Sequence, residues 1–250
     1  MKINGSKVLI TGGARGLGRF LVEAFIQHGA TVGVFERDDE SCSLLQRDFP
    51  DQVSTWRCDV SDHQQVDVAV RTAEKTGFYP DVLINNAGII HSEPLINLFS
   101  KQDRVHSREN WRKVISTDLD SVFYVTSRVV EGMVERRCKG VVISISSISA
   151  QGNAGQSAYS AAKAGVNALT KTWCRELGPF GIRFVSVAPG FLDTPSTRAS
   201  LSDSYISRIE QKIPLRKLGS PQCIYQSVCS ILENDYINGT ILEVDGGFSL

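Results

Sequence analysis

Two side chains able to move a proton together stand in the stretch "AYSAAKAG", where Tyr159 and Lys163 interrupt a run of alanine, serine and glycine. Alanine-rich segments favour helix, and positions i and i+4 of a helix share a face, so the phenol hydroxyl and the ammonium can address one point in space. A phenol is a poor base near neutrality, its ordinary pKa lying near 10. An ammonium about 5 Å away favours the phenolate by roughly 3 kcal/mol at an effective dielectric near 20, enough to make it a working proton acceptor. Taken alone, the pair more often reads as a packed ring and a solvated charge on an amphipathic helix.

Two further patterns add weight. "KVLITGGARGLGRFLVEAF" reads as strand, glycine turn and amphipathic helix, with Gly12, Gly16 and Gly18 at the turn. Glycines there permit tight turning and close approach of backbone to a pyrophosphate, whose charge meets the unpaired N–H groups at the helix start. The spacing is G-x-x-x-G-x-G, not the G-x-G-x-x-G of the common dinucleotide fingerprint. The second strand, "TVGVFERD", ends in Glu36, about twenty residues beyond the turn, where a carboxylate can bind the ribose hydroxyls of NAD and repel the 2′-phosphate of NADP. Arg15 inside the turn and Arg37 after Glu36 could instead pair with that phosphate. The balance favours NAD over NADP.

The elements that must carry these residues follow a βα rhythm. Strand-like runs are expected at Lys7 to Thr11, Thr31 to Phe35, Thr55 to Cys58, Asp81 to Asn85, Val141 to Ser146, Ile182 to Ala188 and Ile241 to Val244, with a helical pattern at Arg19 to His28 after the first. Runs such as "VVISI" are apolar at consecutive positions, as in parallel strands covered on both faces, so a doubly wound α/β sheet is expected. No linker or charge block divides the chain, which reads as one domain over residues 1–250. Long polar connections, about 89–110 and 190–214, follow apolar strands on the carboxyl edge where ligands bind in such sheets, and are expected to be active-site loops.

Composition excludes several classes. Lys plus Arg and Asp plus Glu number 27 each, so no net field recruits nucleic acid or an anionic membrane. The six cysteines are scattered, with no C-x-x-C pair or zinc spacing, and no metal site is expected. The chain enters a strand directly after "MKINGS", without a signal-peptide pattern, and no apolar run approaches the roughly 20 residues needed to cross a bilayer; a cytoplasmic protein is expected.

Taken in order, "TGGARGLG", "CDV" at Cys58 to Val60, "NNAG" at Asn85 to Gly88, "SISS" at Ser144 to Ser147, "YSAAK" at Tyr159 to Lys163, "PGFLDT" at Pro189 to Thr194 and "VDGG" at Val244 to Gly247 resemble the short-chain dehydrogenase/reductases, in their compact single-domain subgroup. The overall pattern is similar to 3-oxoacyl-[acyl-carrier-protein] reductases. The resemblance implies a Rossmann fold with a seven-stranded parallel sheet and helices on both faces. It also implies NAD(P)-dependent interconversion of a secondary alcohol and a ketone, with Tyr159 as acid/base and Lys163 holding the cofactor ribose. By position, Gly12, Arg15, Gly16, Leu17, Gly18, Glu36 and Arg37 would meet the cofactor's phosphates and ribose, and Asp59 and Val60 its adenine. Asn86, Ala87 and Gly88 would line its channel, with Pro189, Gly190, Leu192 and Thr194 at the nicotinamide. Asn86 could instead serve to tie strands together, and Thr194 to cap a helix.

A catalytic serine is implied at the end of the fifth strand. Matching "GVVISISS" to the family picks Ser147, whereas counting back from Tyr159 by the family's usual interval picks Ser146; Ser147 is preferred, because a one-residue slip in a buried strand would flip every side chain. In "WRKVISTDLDSVF" the family's catalytic asparagine is replaced by Asp118, whose charge beside Lys163 would alter the proton relay. That substitution motivates one alternative, a dinucleotide-binding regulatory protein with reduced turnover; a sugar-nucleotide epimerase or dehydratase would need a longer chain. Lys101, Arg104, His106 and Arg108 could greet an anionic substrate from the first loop, although solvated loop charge is the commoner role for such residues. Apolar helix faces near Val122 to Met133 and Val166 to Trp173 suggest self-association as a homotetramer or homodimer.

Overall fold

The computed structural model describes residues 1–101 and 104–248. In chain order the elements are β1 (Lys7–Thr11), α1 (Gly16–Gln27), β2 (Thr31–Glu36), α2 (Asp39–Asp48), β3 (Val53–Arg57), α3 (His63–Lys75), β4 (Val82–Asn85) and α4 (Arg108–Ile115). A π-helical turn, Ser116–Asp120, joins α4 to α5 (Ser121–Glu135), followed by β5 (Gly140–Ile145), a 3-10 turn at Ile148–Gln151, and α6 (Ser157–Leu177). The chain closes with a 3-10 turn at Gly178–Phe180, β6 (Ile182–Pro189), α7 (Pro195–Ser200), α8 (Asp203–Lys212), α9 (Pro221–Glu233) and β7 (Ile241–Val244).

Helix starts are set by local chemistry. The side chains of Asp38, Asp62 and Ser107 accept hydrogen bonds from the first-turn N–H groups of α2, α3 and α4, satisfying donors that the helix itself cannot. At α1 the capping residue is Arg15, and no side chain caps the helix.

The seven strands lie in the order β3-β2-β1-β4-β5-β6-β7, every pair parallel. Ile10 of β1 sits between Val34 of β2 and Ile84 of β4. Alternate side chains feed two cores. Val8, Ile10, Val34 and Ile84 pack with Leu21 and Phe25 of α1 and Ile224 and Val228 of α9. Leu9, Leu83, Val142 and Phe184 pack with Val66 of α3 and Val125, Val129 and Met133 of α5. Full burial of each such side chain stabilises by roughly 1.5–3 kcal/mol, which is why consecutive apolar residues mark these strands. The sheet order reverses direction at β1 and β4, opening a crevice at their carboxyl ends.

The structure departs from the sequence reading in three places. The connection expected over 190–214 contains α7 and α8, and Ile206, Ile209 and Ile213 form a satellite core with Leu218 and Phe191. The connection expected over 89–110 ends earlier, since α4 begins at Arg108; its Gln102 and Asp103 lie outside the described residues. Of the two apolar helix faces expected to serve self-association, Val122, Val125, Val129, Val130, Met133 and Val166 are buried, whereas Phe123 is exposed and its ring neighbour Trp173 partly so. No helix among the described residues is long and apolar enough to cross a membrane.

Candidate functional site

A cleft of about 1210 Å³ opens along the carboxyl edge of the sheet. At one end the β1–α1 turn is packed to within a methyl group. The Gly12 N–H donates to the Phe35 carbonyl (2.8 Å) with φ at +63°, a conformation glycine adopts without strain. A Cβ on Gly18 would collide with the Gly12 carbonyl oxygen and come within 2.6 Å of Asn86 Nδ2. Backbone replaces side chain here, and α1 starts without a side-chain cap, its Gly16, Leu17 and Gly18 lining the cleft. That cradle fits a diphosphate, whose charge complements the helix end.

Asn86 fastens the floor of the turn. Its Nδ2 donates to the carbonyls of Thr11 and Gly12 (3.0 Å each), while the Thr11 hydroxyl accepts from the N–H groups of Asn86 and Ala87 (3.0 Å each). The tie between β1 and β4 is thus made by Asn86 and by Thr11, the first residue of the TGGARGLG stretch, which the sequence reading gave no role of its own.

The neighbouring wall carries mixed charge. Glu36 Oε1 accepts from the Arg37 N–H (2.9 Å), which fixes the carboxylate at the end of β2. Arg15 extends across to Asp38 (2.8 Å) and the Ser41 hydroxyl (2.9 Å), so its guanidinium already has acidic company. Asp59 and Val60 lie beside them, with Asp59 Oδ1 accepting from the N–H and hydroxyl of Ser61 (3.0 and 2.7 Å).

At the other end, α6 sets Tyr159 and Lys163 one turn apart, both buried and both facing the cleft. Lys163 Nζ donates to the Ile145 carbonyl (3.0 Å), lies 5.6 Å from the centre of the Tyr159 ring and stands 3.4 Å from Asp118 Oδ2. Asp118 sits in the π-helical turn, a local widening that often marks functional positions. Its side chain is fully buried; Oδ1 accepts from the Ile89 N–H (2.8 Å), and Oδ2 has no hydrogen bond. Burial pushes the Asp118 carboxyl above the usual carboxylate range, against the opposing pull of Lys163 and the Ile89 N–H.

Both serines reach the cleft, in different settings. Ser146 is buried, with its hydroxyl turned to the Lys163 carbonyl (3.4 Å). Ser147 is partly exposed, and its Oγ accepts from the Ser149 N–H (3.1 Å), leaving its own proton to donate elsewhere. At the β6 end, Gly190 is required because a Cβ would come within 2.7 Å of Asp245 Cα, and Thr194 caps α7 by accepting from Thr197 N–H (3.2 Å). Pro189, Leu192 and Thr194 all line the cleft beside it.

Every residue singled out from the sequence for cofactor or catalysis therefore lies on this one cleft, including Leu17, Ala87 and Gly88. The four loop cations do not. Arg104 donates to the Ser100 carbonyl (2.8 Å), His106 is buried near Glu93, and neither Lys101 nor Arg108 lines the cleft. The apolar side chains on the cleft are Ile90, Phe191, Leu201 and Tyr205, which lie in or beside the two connections expected to be active-site loops.

Comparison with known proteins agrees with this geometry. A family profile described as enoyl-(acyl carrier protein) reductase matches residues 12–249. A 3-oxoacyl-[acyl-carrier-protein] reductase of Thermotoga maritima is 35% identical, the alignment covering 99% of each chain. The human (3R)-3-hydroxyacyl-CoA dehydrogenase is 33% identical over 98% of this chain and 96% of its own. Among solved structures, a candidate gluconate dehydrogenase from Agrobacterium tumefaciens superposes with a TM-score of 0.90 at 26% identity, covering 98% of this chain and 96% of its own.

Proposed function

Since the chain belongs to the short-chain dehydrogenase/reductase family, and is an NAD(P)-dependent oxidoreductase that interconverts alcohols and ketones, we propose that Ser147, Tyr159 and Lys163 perform its chemistry. The observation that carries this assignment is the placement of all three on the same cleft as the glycine turn. The dinucleotide, when bound, supplies or accepts the hydride. Gly12, Arg15, Gly16, Leu17 and Gly18 would hold its phosphates, and Glu36 and Arg37 the adenosine ribose. Asp59 and Val60 would hold the adenine; Asn86, Ala87 and Gly88 would line its channel, and Pro189, Gly190, Leu192 and Thr194 would meet the nicotinamide.

The chain's own residues handle the proton. In the oxidative direction Tyr159 takes the hydroxyl proton of the alcohol; in reduction it returns a proton to the carbonyl oxygen as that oxygen gains charge. Lys163 is held by the Ile145 carbonyl, and its ammonium would support the phenolate and hold the cofactor ribose. The Ser147 hydroxyl donates to the substrate oxygen, which is strongest when that oxygen is most negative.

NAD is the preferred cofactor in this reading, because Glu36 stands fixed at the end of β2 and Arg15 is already paired with Asp38. The substrate is a small alcohol or ketone. The apolar wall of Ile90, Phe191, Leu201 and Tyr205 favours one with an apolar portion, and the earlier expectation of an anionic group finds no cationic side chain from the loop on the cleft. Exposed Phe123 and Phe180 support assembly as a homodimer or homotetramer, and the unpaired thiols suit the cytoplasm. Following NADH and NADPH absorbance against a panel of ketones, 3-oxoacyl thioesters and keto-sugars tests the reading. Turnover of at least one class is expected, faster with NADH; tight dinucleotide binding without turnover of any class would leave the regulatory alternative in its place.

A further inference from the structure

We propose that His91, Glu93 and His106 form a binding site for a divalent transition metal of the zinc type, clasping the two ends of the loop between β4 and α4. One donor atom from each lies within 4.8 Å of the others. His91 Nε2 is 2.9 Å from Glu93 Oε2, and His106 Nδ1 is 3.7 Å from the same oxygen; His106 Nδ1 also faces the Ser107 carbonyl at 3.0 Å, a contact that metal ligation through this nitrogen would replace. Tetrahedral zinc with bonds of about 2.0–2.2 Å separates its donors by about 3.4 Å, so these spacings bracket what a shared ion requires.

The backbone presents these groups in a fixed arrangement. The Glu93 N–H donates to the Gly155 carbonyl (2.7 Å), and the His106 N–H donates to the Leu95 carbonyl (3.0 Å). Ile96 pairs antiparallel with Val105, so the outgoing and returning arms of the loop are zipped together just beyond the cluster. Outer contacts then orient the side chains, as they do around bound metals. Glu93 Oε1 accepts from the Ser107 N–H (2.7 Å) and Oε2 from Asn110 Nδ2 (3.0 Å). The buried His106 ring is flanked edge-on by Trp111, with centroids 6.3 Å apart.

Ligand chemistry selects the metal class. Two imidazoles and one carboxylate suit zinc, cobalt, nickel or copper, whereas magnesium and calcium prefer oxygen alone. Three protein ligands leave coordination positions for water. None of the three residues lines the catalytic cleft, but Ile90 and Ser92, on either side of His91, do. The ion would therefore act on the substrate wall through the loop, outside the proton relay.

Titration of the chelator-treated, full-length protein with cobalt(II) and zinc(II) tests the site. One equivalent of cobalt is expected to give the strong visible bands of four- or five-coordination, with zinc displacing it and raising the melting temperature. His91→Ala and Glu93→Gln should each weaken binding by about 10- to 100-fold. His91 is partly exposed and Glu93→Gln preserves shape, so far-ultraviolet circular dichroism should be unchanged in both. Equal affinity in the wild type and both variants, or a cobalt spectrum of the weak octahedral kind only, would overturn the proposal.

Discussion

Asp118 and Glu93 are both carboxylates paired with basic side chains on the same stretch between β4 and α5, yet their environments act in opposite directions. Asp118 is fully buried, with one backbone donor and one ammonium at 3.4 Å; burial dominates and raises its carboxyl. Glu93 keeps about a quarter of its side chain in solvent and receives His91, Asn110 and the Ser107 N–H, which lower it to about 2. Proximity to a cation does not decide a carboxylate's titration; the tally of donors against lost hydration does. The first arrangement places a buried carboxylate beside the Lys163 ammonium, and the second fixes a loop.

The comparison can be broken most forcefully at Lys163. Lys163→Met leaves Asp118 buried without its cation, so unfolding in urea should show a loss of about 3–5 kcal/mol near pH 8, together with loss of turnover. Because the folded protein holds the Asp118 proton more tightly than the unfolded chain does, the penalty should shrink as pH falls toward about 4. A loss independent of pH would mean that Asp118 is not the group left stranded.

Asp118→Asn keeps the shape and removes the charge. With the Lys163 ammonium no longer offset, the acid limb of the oxidation profile should move about one pH unit lower, with the dinucleotide Kd little changed. An unmoved profile would separate Asp118 from the relay. At the other carboxylate, Glu93→Gln should cost about 1–2 kcal/mol near neutrality through weakened hydrogen bonds. Since the Glu93 carboxyl is depressed from 4.5 to about 2, its contribution is fully present above the unfolded value, and the difference between variant and wild type should close as pH falls through that window. Melting temperatures measured across acid pH would show it. The smallest effect belongs to Glu36→Ala, which should shift the ratio of NADP to NAD use about tenfold, or about 1.4 kcal/mol, toward NADP. Unchanged selectivity would remove Glu36 from the ribose.

Much of this architecture was legible from local pattern. Parallel strands buried on both faces declare themselves as runs such as Val82 to Ile84, and the glycine turn is legible because backbone packing at Gly18 tolerates no side chain. Ser147 and Ser146 were separable only in part: strand register argued for the former, and burial of the Ser146 hydroxyl shows where the latter points. What the sequence hid was set by non-local contacts. Nothing in "VISTDLDSV" announces a π-helical turn, since no glycine or proline marks it. The loop cations left two readings open, because long basic side chains read alike whether they face a ligand, solvent or a carbonyl, as Arg104 does. His91, Glu93 and His106 meet across a hairpin whose pairing, Ile96 with Val105, no periodicity reveals.

The central claim is that Tyr159 moves the proton while the glycine turn independently holds the dinucleotide. Tyr159→Phe tests it directly, by comparing steady-state turnover with dinucleotide affinity measured by fluorescence titration. The account predicts turnover lowered by about 10²- to 10⁴-fold with the dinucleotide Kd within about threefold of wild type. Turnover close to wild type in the phenylalanine variant would contradict it.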